Sequence, residues 1–520
     1  MRAKTDSFIA EVPLRTSAAD ERELSIRLDA ARQIYNAVLG ECLRVLGLMR
    51  ESKDWQRARA IPKGAERNAA FRAVRERFDF KSSMADRFAI RCKNGCWIGD
   101  HLSSNETQKT ALRAFSAVEQ HALGARGRPH FKRVGELDSV EGKTNTCGIR
   151  FKDGFVEWSG LRLELMLDPR DPKAWQAEAL ERKTKFCRLL RRRVRGTSRW
   201  YVQLVQTGTS PLVPTTTAGA VVGLDLGPST IAAVSEQDAT LEQFCPGVEQ
   251  PWRELRRLER AMDRSRRATN PEHFDAEGRA KKGKKKWKRS RRYRKLAEKR
   301  RERDRRLAAE RKRSHGELAN RVVAQGDTIK TEKLSYFGFQ RAFGRSSKVR
   351  GAGLFVATVR RKVEAVGGQL VEFSTYKTRL SQLDLPTGTY AKKPLSQRVH
   401  VLGDGTGELQ RDLYSAFLAR FVVAENAMPA RSAAVAFPAA KPLLRRAASS
   451  AAQPASGGGF PLPQALRRLR AGRPSKRDEG GREAGDVVAA RRGPRRATAK
   501  MLVARHLHLS EPPGFIPGEV

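Results

Sequence analysis

The sequence predicts a multidomain α/β protein. Three observations carry this. Apolar residues recur at helical spacing through roughly the first hundred positions. The period falls to two between about residues 134 and 215. From about residue 216, strand-like and helix-like segments alternate in the order β-β-α-β-α-β-α, the pattern of an α/β unit. The 520 residues hold several units at roughly 100–200 residues each, and 39% hydrophobic residues suffice for their cores.

DSFIAEVPL (6–14) reads as a strand. In the helix that follows, Leu24, Leu28, Ala31, Tyr35, Val38, Leu39, Cys42 and Leu46 step by threes and fours. Charged helical sequence continues to about 123, and ARGRPHFKR (125–133) breaks it with Gly and Pro. In LRLELML, Leu161, Leu163, Leu165 and Leu167 alternate with Arg162, Glu164 and Met166, and SRWYVQLVQTG (198–208) is a second aromatic and β-branched run. Both are strand signals. The Arg-rich strand RLLRRRVRG (188–196) suits a phosphate backbone, or an edge strand protected by charge.

In the third unit, AGAVVGLDLG is a buried strand and TIAAVS its hairpin partner. PWRELRRLERAMDRSRRATNP and the long run AKKGKKKWKRSRRYRK…ELANRVV follow, both helix-forming and joined by an Asn-Pro and Gly-containing turn. Leu255, Leu258 and Met262 give the first of these helices an apolar seam. GDTIKTEKL (326–334) reads as a strand, GLFVATVRRKVEAVGGQLVEFS as a helix and a strand, and QRDLYSAFLARFV as a helix with Leu413, Ala416, Phe417 and Phe421 on one face. From 427 to 520 the chain is rich in Ala, Pro, Gly, Ser and Arg, the composition of a disordered basic tail.

The net charge of +46 is self-repelling without a polyanion. Nucleic acid is the expected partner. No apolar run approaches the ~18 residues of a membrane span, and MRAKTDSFIAEV lacks a signal-peptide core, so the expectation is a bacterial cytoplasmic protein, nucleoid-associated when engaged, with no membrane partner. Six scattered cysteines make no disulfide framework. Cys92, Cys96 and His101 would begin a zinc site, but no second Cys pair has suitable spacing.

The cations concentrate between about 250 and 320. Arg256, Arg257, Arg260, Arg264, Arg266 and Arg267 in the first basic helix, Lys284, Lys285, Lys286, Lys288, Arg291 and Arg292 in the second run, and Arg128, Lys132 and Arg133 at the Gly-Pro junction are the expected nucleic-acid contacts. Trp287 and Tyr293 among them either stack on bases or pack the arm itself.

Three acids stand against this background: Asp225 in VVGLDLGPST, Glu332 in TIKTEKL and Asp412 in ELQRDLYSAF. An acid in an apolar strand is costly unless it binds something; the plainer reading is a turn Asp before Gly-Pro. Glu332 alone reads as a strand-end surface residue, and Asp412 alone as a helix cap. Together, as strand-Asp, strand-Glu and helix-Asp, they suit metal-assisted phosphodiester hydrolysis. That chemistry uses two divalent ions about 4 Å apart, and Mg²⁺ prefers such oxygen ligands.

The order GLDLG…EKL…RDLYSAF resembles the split RuvC nuclease domain of the transposon-encoded RNA-guided nuclease TnpB and of compact type V CRISPR effectors descended from it, best the miniature actinobacterial type. RLDAARQIYNAVLGECLR resembles the first helix of their recognition lobe, GRPHFKR their junction into the wedge domain, and RRLERAMDRSRRATNP and KKPLSQRVH also match. The resemblance spans about residues 5–425. It implies a bilobed α/β protein. In it, 1–20 is the first wedge strand, 21–123 a helical recognition domain and 124–215 a wedge domain of β-barrel type. The RNase H-like RuvC nuclease domain spans 216–373 with a basic helical insertion at 250–320, and 406–426 carries its third motif. It further implies a guide RNA and double-stranded target DNA as partners, a short flanking motif read by the protein, and cutting with two Mg²⁺ ions held by Asp225, Glu332 and Asp412.

One departure is plain. The family carries a four-Cys zinc ribbon between the Glu and the last Asp; here residues 374–405 contain no cysteine, so zinc is not expected and a metal-free loop or hairpin is. A guide-directed DNA binder or repressor without cutting, and a transposon-associated nuclease, are the neighbouring readings. LDLGPST also resembles the first phosphate loop of actin- and sugar-kinase-like ATPases, but their further motifs are missing.

Overall fold

The computed structural model describes residues 6–171, 174–211, 215–248, 252–283, 285–394, 397–423 and 428–452. Strand β1 (Ser7–Arg15) leads into α1 (Ala18–Glu51), which opens on a capping box in which Ser17 and Asp20 satisfy each other's backbone amides. Helices α2 (Lys53–Ala60), α3 (Ala65–Arg77), α4 (Ser82–Asn94) and α5 (Ser104–Ala122) follow. Then come β2 (Ser139–Glu141), β3 (Arg150–Lys152), β4 (Phe155–Trp158), β5 (Leu161–Leu165), α6 (Trp175–Glu181), β6 (Thr184–Val194) and β7 (Thr197–Thr207).

These strands form a seven-stranded sheet in the order β2-β6-β7-β1-β5-β4-β3. Its curl comes from β1, whose residues Ser7–Pro13 pair with β7 while Leu14 and Arg15 pair with β5. Leu24, Ile34 and Leu39 of α1 share one core with Val12, Trp158, Leu163, Trp200 and Val202 of the sheet. The buried Arg27 of α1 bonds the carbonyls of Trp158 and Ser159. Helical segment and sheet are thus one packed body.

The second body is a five-stranded mixed sheet, built from β8 (Val221–Leu226), β9 (Thr230–Val234), β10 (Ala239–Gln243), β11 (Thr328–Glu332) and β12 (Gln369–Phe373). The order is β10-β9-β8-β11-β12, with β8, β9 and β10 antiparallel and β11 and β12 parallel to β8. Between β10 and β11 lie α7 (Trp252–Thr269) and α8 (Arg291–Ala324); α9 (Tyr336–Arg350) and α10 (Ala352–Ala365) lead from β11 to β12. After β12 come the short α11 (Thr375–Thr378), the hairpins β13–β14 (Leu383–Asp384, Thr389–Tyr390) and β15–β16 (Val399–Val401, Glu408–Gln410), α12 (Arg411–Ala419) and α13 (Ala430–Ala452).

Strand alternation divides this sheet's side chains cleanly. Val222, Leu224, Leu226, Ile231, Ala233 and Ile329 pack with Leu318 and Val322 of α8 and Phe355 and Val359 of α10. Ala232 and Val234 face the other way, against Leu413, Ala416 and Phe417 of α12. Gly223 and Asp225 lie on this α12 face. A Cβ on Gly223 would sit 1.8 Å from the Ala416 carbonyl oxygen. The missing side chain is what lets α12 close onto β8.

Three expectations change here. The tail from 427 was expected to be disordered, yet 430–452 form α13, whose Ala433, Phe437, Ala440, Leu444 and Ala447 are buried on the α12 core. Those positions recur every three or four residues. Pro438 and Pro442 sit on its exposed side, where the carbonyls they leave unbonded meet water. Residues 453–520 of the expected tail lie outside the described residues. The second basic run was expected to be helical throughout, but α8 begins only at Arg291, capped by the Ser290 side chain. Gly283 at φ +100° and Asn270, whose side chain bonds both backbone groups of Lys288, hold the preceding stretch in an irregular path. The Arg-rich strand β6 is an edge only in part, because β2 pairs Ser139–Glu141 with Arg188–Leu190 and does not reach Arg192 or Arg193.

Gly223→Ala is expected to displace α12 and destabilise the protein by about 1–3 kcal/mol, read as a lower midpoint in urea unfolding.

Candidate functional site

Asp225 is the fifth residue of β8 and Glu332 the last of β11. The register pairs Lys330 with Gly223 and Thr331 with Leu224, so one further step brings Glu332 level with Asp225. Both lie on the face covered by α12. Asp412 lies in the first turn of α12. The structure therefore brings together the three acids that are far apart in sequence.

Each acid is held differently. Asp412 is buried; its Oδ2 accepts from Thr230 Oγ1 at 3.1 Å, and its Oδ1 lies 4.0 Å from Arg398 and 3.8 Å from Arg411. Lys330 fixes the other end of α12 by donating to the Arg420 and Val422 carbonyls at 2.8 and 2.7 Å. Asp225 and Glu332 make no hydrogen bond or ion pair with described residues. Both remain partly open to solvent. Burial pushes the Asp225 carboxyl well above the usual carboxylate range, and the charges of Asp412 and Glu332 push it further. Burial raises Glu332 to about 7.

The donor set is three carboxylates, two of them without a hydrogen bond or close ion pair among the described residues, although the charges of Arg411 and Arg398 reach Asp225. That chemistry fits a hard divalent cation. Among the described residues no three His, Cys, Asp or Glu side chains already close around one point as ligands. Drawing Asp412 into a shared shell requires it to turn from Thr230.

The basic arm divides into two kinds of cation. Arg256, Arg257, Arg260 and Arg264 are exposed on α7 and carry no ion pair with described residues. With Arg253 they form a stripe roughly 16 Å long at about 1.5 Å per residue. Exposed Arg291 and Arg292, at the start of α8, are also unpaired among described residues. Arg266 and Arg267 instead pair with Asp263, and their guanidinium groups lie over Trp287 and Phe274. Trp287 packs against His273 and Phe274, which makes it the centre of a small local core. Lys285 bonds the carbonyls of Lys282 and Lys281, and exposed Lys286 and Lys288 lend backbone groups to His273 and Asn270. Lys284 lies outside the described residues.

At the Gly-Pro junction, Arg128 and Arg133 are exposed, whereas the Lys132 backbone is clamped to Asn36 of α1 by two bonds at 2.7 and 2.8 Å. The arginines of β6 are mostly engaged: Arg188 pairs with Glu141, Arg192 with Glu11, and Arg193 with Glu298 of α8 at 2.6 Å. That last pair ties the β6–β7 hairpin to the arm. Among the described residues Cys92, Cys96 and His101 do not gather as a ligand cluster, and the His101 ring lies 3.5 Å from Glu23.

Sequence reasoning missed Thr230, Lys330, Arg398 and Arg411. Thr230 was the most findable, because hairpin pairing of LDL with TIA sets it beside Asp225's face.

Two outcomes follow from these environments. A carboxyl whose pKa is raised on folding contributes stability that is complete below its unfolded value, near 4.5 for Glu332, and lost as pH rises through about 7. Metal-free protein is therefore expected to melt at falling temperature from pH 5 to 8. Asp225→Asn should flatten that slope and gain of order 1 kcal/mol at pH 8, and Mg²⁺ should stabilise wild type more than the variant. Separately, replacing Arg257, Arg260 and Arg264 with Ala is expected to weaken nucleic-acid binding and reduce the salt slope by about 0.7–0.9 for each phosphate no longer neutralised. An unchanged slope in a salt titration would make the stripe a solvated face.

No family model matches the sequence, and no curated protein matches it. Solved structures do. One is a Cas12f1–sgRNA–target DNA complex, 12% identical, with 79% of this chain and 98% of that chain covered at a TM-score of 0.39. Another is a CRISPR–Cas12f ternary complex, 11% identical, with 79% and 83% covered at a TM-score of 0.26. These neighbours are miniature type V effectors, the group the sequence resembles.

Proposed function

We propose that this chain is an RNA-guided DNA endonuclease with a single RuvC-type site. One observation carries the reading: Asp225 and Glu332 stand level on adjacent parallel strands, and α12 brings Asp412 to the same face. An unpartnered acid pair at the carboxyl edge of parallel strands, in a protein of charge +46, suits hydrolysis of a polyanion.

In this reading Asp225, Glu332 and Asp412 hold divalent metal. Bound there, two Mg²⁺ ions would supply an activated water and stabilise the leaving oxygen. Thr230 orients Asp412 through its hydroxyl, and Arg398 and Arg411 offset its charge. The α7 stripe holds phosphates without reading bases. The body formed by residues 6–211 acts as recognition and wedge region, clasping guide RNA and its heteroduplex and reading a short motif beside the target. The one site would cut the displaced strand and then the target strand.

A second reading, guided DNA binding without cutting, is favoured by one observation: Asp412 is already engaged by Thr230 and two arginines. Purified protein with its co-purifying RNA, given Mg²⁺ and a plasmid carrying the matched target, separates the two. Cleavage is expected, abolished in Asp225→Ala and reduced roughly 10–100-fold in Thr230→Val, the scale of losing a support to a metal ligand. Binding with no nicking by wild type would select the second reading.

A further inference from the structure

The tip of the β6–β7 hairpin is cationic, and it rests on carboxylates. Val194 pairs with Thr197, so Arg195 and Gly196 make the turn, at φ +51° and +89°, the signs a type I′ turn requires. The Arg195 amide donates to Glu302 of α8 at 3.2 Å. Glu298, one turn earlier on α8, takes the Arg193 guanidinium on both oxygens: Nε donates to Oε1 at 2.6 Å and Nη2 to Oε2 at 2.9 Å. A Cβ on Gly196 would stand 3.5 Å from that Oε1, so the turn sits directly on the acid.

The two acids are held unequally. Glu302 also accepts from Arg305 and Arg306, and these bonds with the Arg195 amide hold its carboxyl well below the usual carboxylate range. Glu298 has Arg193 alone among the described residues, and the pair is open to water, its side chains 32% and 54% exposed. An ion pair this exposed contributes little and exchanges readily. Cations border it on both sides. Arg195 is at the tip, and Arg294, Lys295 and Arg301 lie within one turn of Glu298 on α8. All four are exposed, and none carries a side-chain ion pair among the described residues.

We propose that Glu298 is a placeholder for phosphate: it occupies Arg193 in the free chain and gives it up to a nucleic-acid phosphate, which the hairpin tip and α8 then clamp between them. The inference goes beyond the cutting site and rests only on the part of the proposed function that has the chain bind nucleic acid. Nε and Nη2 present two parallel donors, a fork that fits carboxylate and phosphate oxygens alike. In the free chain the carboxylate relieves repulsion among the bordering cations. A phosphate does the same with more charge and three acceptor oxygens, so the exchange favours it. Glu302, held by its own arginines, keeps the tip seated while Glu298 turns away.

The test uses full-length, guide-free protein in EDTA, titrated with a short single-stranded RNA and, separately, with duplex DNA. Glu298→Gln keeps the size of the side chain and removes its charge. It should tighten binding to one or both about two- to fivefold, the fold-equivalent of an exposed ion pair. Glu317→Gln makes the same charge change at an exposed pair about five turns further along α8 and should move affinity less. In an Arg193→Ala background, Glu298→Gln should tighten binding no more than Glu317→Gln does, because the cation it uncovers is gone. The polymer that shows this coupling is the source of the phosphate. Equal tightening with and without Arg193, on both polymers, overturns the placeholder and leaves Glu298 as general repulsion, even where guided cleavage persists. Unchanged or weakened binding in Glu298→Gln also overturns it, in favour of a permanent fastening between hairpin and arm. The coupling in a protein that never cuts retains the placeholder and removes the nuclease reading.

Discussion

Close approach of α12 to β8 is the constraint on which the site depends. The Ala416 carbonyl occupies the space where any side chain at position 223 would stand. Gly223 and Asp225 are two residues apart, so they share a face. The residue that admits the helix and the residue that receives its acid are therefore set by one strand. Everything else on that face serves the same approach. Lys330, level with Gly223, binds the carbonyls at the far end of α12, and Thr230 binds Asp412 at the near end. The helix is pinned at both ends with its acid between. Packing of its apolar side supplies the energy that keeps three like charges near one another, at the cost visible in the raised carboxyls of Asp225 and Glu332.

The cations follow a different logic. Total charge says little about which arginines meet a partner. In β6 and the turn of the arm, guanidinium groups face carboxylates or rings of the same chain and act as internal fasteners. On α7 the acids Glu254 and Glu259 pair inward with Arg303 and Arg300 of α8. Arg256, Arg257, Arg260 and Arg264 are thereby left on the outer side. An ion pair inside the arm thus decides which face of the helix is cationic.

Much of this was legible in the sequence. The acid in an apolar strand marked Asp225, and the period change near residue 134 marked the start of the β-rich part. The missed features share a cause, which is that composition or local periodicity outweighed a nonlocal partner. Helix α13 is rich in Ala and Pro, so its buried positions were hidden by the character of a linker. Residues 281–290 carry strong helix formers, but Asn270 bonds Lys288 from outside the segment. Helix α9 contains two glycines and is kinked at Gly344, so it carried no helix signal at all. The cover on Arg188–Leu190 of β6 was hidden because three residues of β2 are too few to register as a strand.

The cysteine-free stretch before α12 is attached through a buried imidazole and carboxylate. His400 is fully buried, its Nε2 lies 3.0 Å from Asp384 Oδ1, and its ring stacks on Tyr414 at 4.3 Å. The Tyr414 hydroxyl in turn accepts from the Leu385 amide at 2.8 Å, and Asp384 also receives the Gly403 amide. A buried carboxylate and imidazole joined in this way are stable only while every member is satisfied. The two hairpins are thereby locked to each other and to α12 two residues from Asp412. Lys441 and Arg445 of α13 add a second fastening on the Thr406 turn. The attachment of this segment to the acid behind it therefore runs through Tyr414 and α13 without any thiolate.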